Sequence, residues 1–167
     1  MQSKEHWENV YTTKAADEVS WFQEHAALSL KLIREAGVPL TASIIDVGGG
    51  ASTLVDDLLA NGYENVTVLD LSGKALATAK ARLGTLASKV QWLEANIIET
   101  KLDSNAYDVW HDRAVFHFLT TTEERHAYVQ AVLRAVKPGG LVIVATFAED
   151  GPSKCSGLDR KSTRLNS

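Results

Sequence analysis

The chain has 167 residues, of which 45% are hydrophobic and 23% charged, and its formal net charge is -4 at pH 7. These values are typical of one globular domain, and they exclude a chain that is disordered throughout. The charge provides no broad basic field, so we expect no nucleic-acid partner. A polar N-terminus, short aliphatic runs and a single cysteine, Cys155, predict a cytoplasmic protein with no membrane contact and no internal disulfide.

The predicted elements alternate between helices and strands after an aromatic-rich beginning. Trp7 and Tyr11 have helical spacing, and an amphipathic helix is predicted from about Val19 to a stop near Gly37. Short apolar runs then alternate with helical patterns, which predicts βαβ units and a mostly parallel sheet of the α/β class. The predicted strands are 44–47, 66–69, 90–93, 107–110 and 141–146, and the helices between them begin near Leu54, after the cap Ser72, and at Thr121 or Thr122.

An acidic residue and a glycine loop follow the first predicted strand. Gly48, Gly49 and Gly50 let the backbone turn tightly and let a ligand approach main-chain atoms, although a plain strand-to-helix turn is the alternative. The dinucleotide-binding pattern requires a third glycine where this chain has Thr53. A carboxylate at Asp46 favours an ammonium or a sulfonium over a pyrophosphate; the alternative is that it caps the N–H groups of the loop.

A second acidic residue, Asp70, ends the second predicted strand. A carboxylate in this position can accept both hydroxyls of a ribose. The alternative is a cap for the following helix, for which Ser72 is better placed.

Taken in order, the segments IIDVGGGAST, VTVLDLS, WLEANI, YDVWHDRAVFHFL and LRAVKPGGLVIVATF resemble class I S-adenosylmethionine-dependent methyltransferases over residues 4–158. The resemblance implies a three-layer, Rossmann-like sheet of strand order 3-2-1-4-5. It also implies S-adenosylmethionine as cofactor and a small molecule or a protein as methyl acceptor. The related fold has two further strands as an antiparallel hairpin, which we expect this chain to lack, so that residues 1–158 form an incomplete methyltransferase domain.

The last nine residues, 159–167, have no apolar period and resemble the in-frame translation of a sequencing-library adapter. We expect them to be a non-native tail, with an ordinary disordered C-terminus as the alternative.

The resemblance assigns roles to individual residues. Asp46 and the glycine loop hold the methionine part and the adenosine, Asp70 holds the ribose, and Leu71 packs beside the adenine. Asn96, followed by Ile97, stands where the family usually has an aspartate that binds the adenine amino group. An amide oxygen can still accept that hydrogen bond without charge assistance, so we expect cofactor affinity weaker by roughly 0.5 to 1.5 kcal/mol.

The segment Trp110-His111-Asp112-Arg113 matches the part of the family site beside the transferring methyl group. His111 is therefore a candidate base or orienting group, as is His117, for which a buried core position is the favoured alternative. Asp112 is expected to pair with Arg113 or to orient a substrate amine.

Two aromatic residues, Tyr11 and Trp21, are predicted to cover the cofactor, since aromatic faces attract a sulfonium; packing of a helix onto the sheet is the alternative. We predict no metal site, because the histidines lack ligand spacing and one cysteine makes no thiolate set. A non-catalytic cofactor-binding module and an NAD-dependent oxidoreductase remain as alternative functions.

Overall fold

The structure is a computed structural model that describes residues 3–13, 26–113 and 115–146, together with the backbone of two short strands at 154–155 and 158–159. The helices are α1 (Lys4–Thr13), α2 (Ala27–Glu35), α3 (Leu54–Ala60), α4 (Gly73–Leu83) and α5 (Thr122–Ala135), with 3₁₀ turns at Gly84–Lys89 and Phe116–Phe118. The strands are β1 (Ser43–Val47), β2 (Asn65–Asp70), β3 (Val90–Glu94), β4 (Tyr107–Arg113), β5 (Val136–Ala145), β6 (Lys154–Cys155) and β7 (Leu158–Asp159). Helices and strands alternate from α2 to β3, and β4 then follows β3 with no helix between them.

Five strands form a parallel sheet in the order β3-β2-β1-β4-β5, which confirms the predicted α/β fold and strand order. The central strand β1 pairs with β2 on one side and with β4 on the other. The chain order reverses between these neighbours, and in such sheets a ligand crevice opens at the carboxyl ends of the strands. The two short strands β6 and β7 pair antiparallel with each other in a separate sheet, and within the described part of the chain β5 pairs only with β4.

The sheet is covered on both faces. Ile44 of β1 belongs to a core cluster that includes Ile33 of α2, Leu58 of α3 and Leu76 of α4. The next residue, Ile45, belongs to a second cluster with Trp110, Leu119 and Tyr128, and α5 covers this face. Because successive side chains of a strand point to opposite faces, one short apolar strand holds both helix layers in place. No described helix combines the length and the apolar character needed to cross a membrane.

Two predicted helix caps are present. The Ser72 hydroxyl accepts the N–H of Ala75 at 3.1 Å at the start of α4. Thr121 and Glu124 form a reciprocal capping box at the start of α5. These local bonds satisfy N–H groups that have no partner within a helix.

The fifth strand differs from its predicted bounds, which were 141–146. Strand β5 already begins at Val136, directly after α5. Tyr107 pairs with Val136 and Val109 with Leu141, so residues 137–140 bulge outward opposite a single residue, Asp108. Lys137 extends back from this bulge to Asp108, at 3.1 Å between Nζ and Oδ1. The Pro-Gly-Gly sequence therefore interrupts the register of the strand instead of delaying its start.

Candidate functional site

A cavity opens at the carboxyl ends of β1, β2 and β4. It brings together five of the residues predicted for the cofactor: Tyr11, Gly48, Asp70, Leu71 and Ile97. Asp46, Gly49, Gly50, Asn96, His111 and Asp112 do not belong to its lining. The lining consists of Trp7, Tyr11, Val47, Gly48, Leu69, Asp70, Leu71, Ala95, Ile97, Arg113, Val115 and Phe118.

The glycine loop after β1 is packed too closely for other residues. Gly48 has a φ of +72°, and a Cβ on it would lie 2.0 Å from Cγ2 of Val115. At Gly50 a Cβ would lie 2.6 Å from the Cβ of Ala75 in α4. Gly48 must be glycine because of its positive φ and because Val115 lies against it. Gly50 must be glycine because Ala75 lies against it.

Asp70 organises this loop from the end of β2. Its Oδ2 accepts the N–H of Gly50 at 2.9 Å, and its Oδ1 accepts the N–H of Ser72 at 2.8 Å. The side chain is buried, and burial raises its pKa to about 6 because the two backbone N–H groups offset only part of the desolvation. Each oxygen keeps a second lone pair, so the carboxylate can accept two further hydroxyl groups. The cap of α4 is Ser72, as predicted, and not Asp70.

Asp46, which is 1% exposed, is held by only one of its oxygens. Its Oδ1 lies 2.7 Å from Nδ1 of His111, whereas its Oδ2 has no hydrogen-bond partner among the described residues. A Cβ on Gly49 would lie 2.2 Å from this Oδ2, so the oxygen faces the loop. Asp46 was alternatively predicted to accept the N–H groups of the glycine loop. In the structure Asp70 accepts such a group, the N–H of Gly50. An unsatisfied buried acceptor costs about 1 to 3 kcal/mol, more when charged, so this position requires a donor.

His111 lies behind the cavity wall. It is 2% exposed, and its Nε2 lies 2.8 Å from the hydroxyl of Ser29 in α2 while Nδ1 faces Asp46. Both ring nitrogens are engaged, which gives the ring no free nitrogen toward a substrate. Ser29 was not among the predicted site residues, although its spacing from Ala26 and Ile33 on one helical face could have revealed it.

Asp112 does not pair with Arg113, although this pairing was one of the two roles predicted for it. Its carboxylate accepts the N–H of Val115 at 2.8 Å and the hydroxyl of Tyr128 at 2.6 Å, and that hydroxyl accepts the indole N–H of Trp110 at 3.0 Å. Adjacent residues of a strand point to opposite faces, which separates Asp112 from Arg113. Burial raises the pKa of Asp112 to about 6. Its bonds hold the loop that places Val115 against the glycine loop.

Arg113 instead lines the cavity. Burial lowers the pKa of its guanidinium, and the charge of Asp46 acts in the opposite direction. The sequence analysis also missed Val115 and Phe118 as lining residues. His117 is buried, with its ring centroid 4.1 Å from that of Phe118, as in the core alternative.

Asn96 orders the turn after β3. Its side-chain oxygen accepts the N–H of Ile98 at 3.2 Å, and its backbone oxygen accepts the N–H of Thr100 at 2.9 Å. Ile97, within this turn, is buried and lines the cavity. The contribution of Asn96 visible here is therefore to the shape of the wall that Ile97 forms.

Helix α1 provides the aromatic side of the cavity. The ring centroids of Trp7 and Phe118 lie 5.1 Å apart, and Trp7 and Tyr11 lie 6.5 Å apart. The helix is attached to α4 by a bond of 2.6 Å from Lys74 to Thr12. Trp21, the other predicted covering residue, lies outside the described residues. Among the described side chains, no group of three or more His, Cys, Asp or Glu is arranged to hold a metal ion.

The family model described as "Methyltransferase domain" matches residues 45–144, which include most of β1, the glycine loop, Asp46 and Asp70. The chain therefore belongs to the methyltransferase-domain family. This match removes the NAD-dependent oxidoreductase as an alternative.

Two relatives are the proteins named EEF1A lysine methyltransferase 2 from Homo sapiens and Mus musculus, which are 23% and 22% identical to this chain over 163 residues. The alignments cover 86% of this chain and 67% and 65% of those proteins. The chain thus spans about two thirds of the length of these relatives.

Solved structures share the fold at low identity. The DhpI-SAM-HEP complex has a TM-score of 0.64 at 17% identity, with 87% of this chain and 65% of that chain covered. The glycopeptide N-methyltransferase MtfA complexed with S-adenosyl-L-homocysteine has a TM-score of 0.62 at 18% identity, with 74% and 53% covered.

Proposed function

We propose that this chain binds S-adenosylmethionine in the cavity and transfers its methyl group to a nitrogen atom of a protein side chain. The observation that carries the proposal is the pair of buried carboxylates on either side of the glycine loop. Asp46 has one oxygen without a partner among the described residues, and Asp70 has acceptor capacity left on both oxygens. The first suits an ammonium group and the second suits the two hydroxyls of a ribose.

The other predicted cofactor residues complete the nucleoside part of the proposed site. Leu71 and Ile97 line the cavity with apolar side chains, which suits the faces of an adenine. Asn96 accepts the adenine amino group with the second lone pair of its side-chain oxygen. Tyr11 lies on the aromatic side of the cavity, and an aromatic face stabilises a sulfonium by about 0.5 to 2 kcal/mol.

The charges near the glycine loop suit the amino acid end of the same cofactor. Asp46 is the partner of the ammonium, and Arg113, which lines the cavity, is the partner of the carboxylate. Two carboxylates beside the loop disfavour a pyrophosphate. The residues present therefore fit S-adenosylmethionine.

The cofactor, when bound, supplies a methyl group on a positively charged sulfur. The chain's own residues then have to align an acceptor at attack distance and exclude water. Among the described residues that line the cavity, Asp70 is the only carboxylate and none is a histidine. His111 and Asp112 lie behind the wall: His111 is bonded to Asp46, and Asp112 is bonded to the loop that contains Val115.

A protein amine is the acceptor that the relatives favour, because two of them are named as lysine methyltransferases. Two solved neighbours are also named as N-methyltransferases, for a glycopeptide and, in Haemonchus contortus, for a phosphoethanolamine. An amine needs no enzymatic base if it enters the cavity unprotonated, in agreement with a lining that has no histidine among the described residues.

Titration calorimetry with S-adenosylhomocysteine tests the cofactor, and a labelled methyl donor with lysine-containing proteins and with small amines tests the acceptor. We expect micromolar or tighter binding, followed by label on a protein lysine. Absence of S-adenosylhomocysteine binding refutes the proposal. Binding without transfer to any acceptor supports the non-catalytic module instead, and label on small amines alone refutes the protein acceptor.

A further inference from the structure

A chain of hydrogen bonds connects helix α2 with the residue that faces the glycine loop. Ser29 Oγ lies 2.8 Å from Nε2 of His111, and Nδ1 of His111 lies 2.7 Å from Oδ1 of Asp46. The three side chains are 7%, 2% and 1% exposed, respectively. They come from the consecutive elements α2 and β1 and from β4, which is distant from both in the sequence and pairs with β1 in the sheet.

The chemistry of the three groups gives the bonds a direction. A carboxylate only accepts hydrogen bonds, so Nδ1 of His111 donates to Asp46. In the neutral imidazole the other nitrogen is then an acceptor, and the hydroxyl of Ser29 donates to it. The carboxylate of Asp46 thereby selects the tautomer, and the hydroxyl of Ser29 fixes the orientation of the ring that holds Asp46.

The same three residue types, in the same order, form the catalytic triad of serine hydrolases. Here the hydroxyl of Ser29 is buried, and neither Ser29 nor His111 lines the cavity. A substrate carbonyl has no route to Ser29, so a hydrolytic function does not follow. The chain of bonds occupies Oδ1 of Asp46 and leaves Oδ2 as an acceptor that has no partner among the described residues.

We propose that Ser29 and His111 are positioning residues that hold Asp46 with its Oδ2 directed at the ammonium group of the cofactor. This inference rests on the proposed function and names two further residues of that site. Their influence is confined to the amino acid end of the ligand, because the nucleoside end is held by Asp70, Leu71 and Ile97.

Two amide variants separate the two bonds of the ring. His111→Asn places an amide nitrogen near the former Nδ1, where it can still donate to Asp46. His111→Gln places the amide near the former Nε2, where it reaches Ser29 and leaves Asp46 without its donor. Ser29→Ala removes only the far end of the chain of bonds.

Each protein is titrated with S-adenosylhomocysteine and with 5′-methylthioadenosine, which has the nucleoside and the sulfur but lacks the amino acid end. We expect His111→Gln to lower the affinity for S-adenosylhomocysteine about tenfold or more, as for a hydrogen bond to a charged group. His111→Asn is expected to stay within about threefold of the wild type, and Ser29→Ala to lose about threefold. The affinity for 5′-methylthioadenosine is expected to be unchanged in all three.

A purely structural role predicts a different pattern, with both ligands weakened equally. Equal losses for both ligands, or equal effects of the Asn and Gln variants, overturn the inference. A wild-type protein that binds S-adenosylhomocysteine no more tightly than 5′-methylthioadenosine also overturns it, whereas one that binds neither refutes the proposed function itself. If His111→Gln does not fold, the ratio of the two affinities in Ser29→Ala decides, and an unchanged ratio overturns the inference.

Discussion

Replacing Asp70 by Asn separates the two roles of this carboxylate, in binding and in the order of the loop. The substitution keeps the shape of the side chain and one acceptor oxygen. It removes the charge and turns the second oxygen into a donor. In the wild type, the N–H groups of Gly50 and Ser72 each donate to one oxygen of Asp70. In the variant, the new amide donor therefore faces one of these two N–H groups.

The effect on stability is expected to be small because two terms oppose each other. Loss of one acceptor leaves a buried N–H unsatisfied, which costs about 1 to 3 kcal/mol. Burial raises the pKa of Asp70 from an ordinary 3.8 to about 6, so ionised Asp70 disfavours the fold at pH 7 by about 3 kcal/mol. Because the pKa is raised, this penalty is absent below about pH 4 and complete above about pH 6. Asn removes the penalty, so we expect the free energy of unfolding at pH 7 to change by less than about 2 kcal/mol.

The effect on binding is expected to be large. A charge-assisted acceptor for the ribose contributes about 1.5 to 3 kcal/mol, so the affinity of Asp70→Asn for S-adenosylhomocysteine should fall about 10- to 150-fold. Thermal unfolding measures the first effect and titration calorimetry the second. Asp108→Asn is the control, since Asp108 accepts the N–H of Ser43 at the opposite end of the sheet, and its affinity should equal that of the wild type. An unchanged affinity in Asp70→Asn refutes the assignment of the ribose to Asp70.

Three further predictions concern the same cavity. Affinity for S-adenosylhomocysteine should fall up to about tenfold from pH 7 to pH 5, because a carboxyl with a pKa of about 6 is then about one-tenth ionised, and titrations of Asp70→Asn should lack this dependence. Gly48→Ala should lower the free energy of unfolding by about 2 kcal/mol more than Gly37→Ala, since both glycines have φ near +70° but only the Cβ at Gly48 meets Val115; equal shifts in thermal unfolding contradict this. Asn96→Asp should strengthen the binding of S-adenosylhomocysteine and of 5′-methylthioadenosine alike, by about 2- to 10-fold in calorimetry, because a carboxylate adds charge assistance; weaker binding speaks against an adenine contact at Asn96.

The elements and caps of this fold could be predicted from the sequence because their causes are local. Ser72 and Thr121 stand immediately before helical patterns, and the bonds that define their role span three residues. The place of Asp70 at the end of β2 could be predicted as well, because it depends only on where a strand ends. The start of β5 could not be predicted, since a Pro-Gly-Gly sequence is equally typical of a break and of a bulge, and only pairing with β4 distinguishes the two.

The partners of the polar side chains were beyond sequence reasoning for a different reason. His111 is bonded to residues 65 and 82 positions away, and neither separation leaves a pattern in one sequence. Pairing with the neighbouring Arg113 was one of the two roles predicted for Asp112, although strand geometry turns neighbours to opposite faces. The prediction treated adjacency in sequence as adjacency in space, which holds in turns and fails in strands.

The end of β4 shows what this geometry achieves for a reaction that needs alignment more than acid–base chemistry. Three successive polar residues lie in three different environments. His111 is bonded to Asp46, Asp112 is bonded to Tyr128 and to the loop that contains Val115, and Arg113 lines the cavity. The first two are held by bonds of 2.6 to 2.8 Å within the described residues, so they have no remaining freedom to follow a substrate. Only the third lines the cavity. In the proposed site, His111 and Asp112 are thus fixed behind the cavity wall, and Arg113 lies on the surface that a ligand contacts. This arrangement suits a site that holds a charged ligand in one orientation while an acceptor approaches.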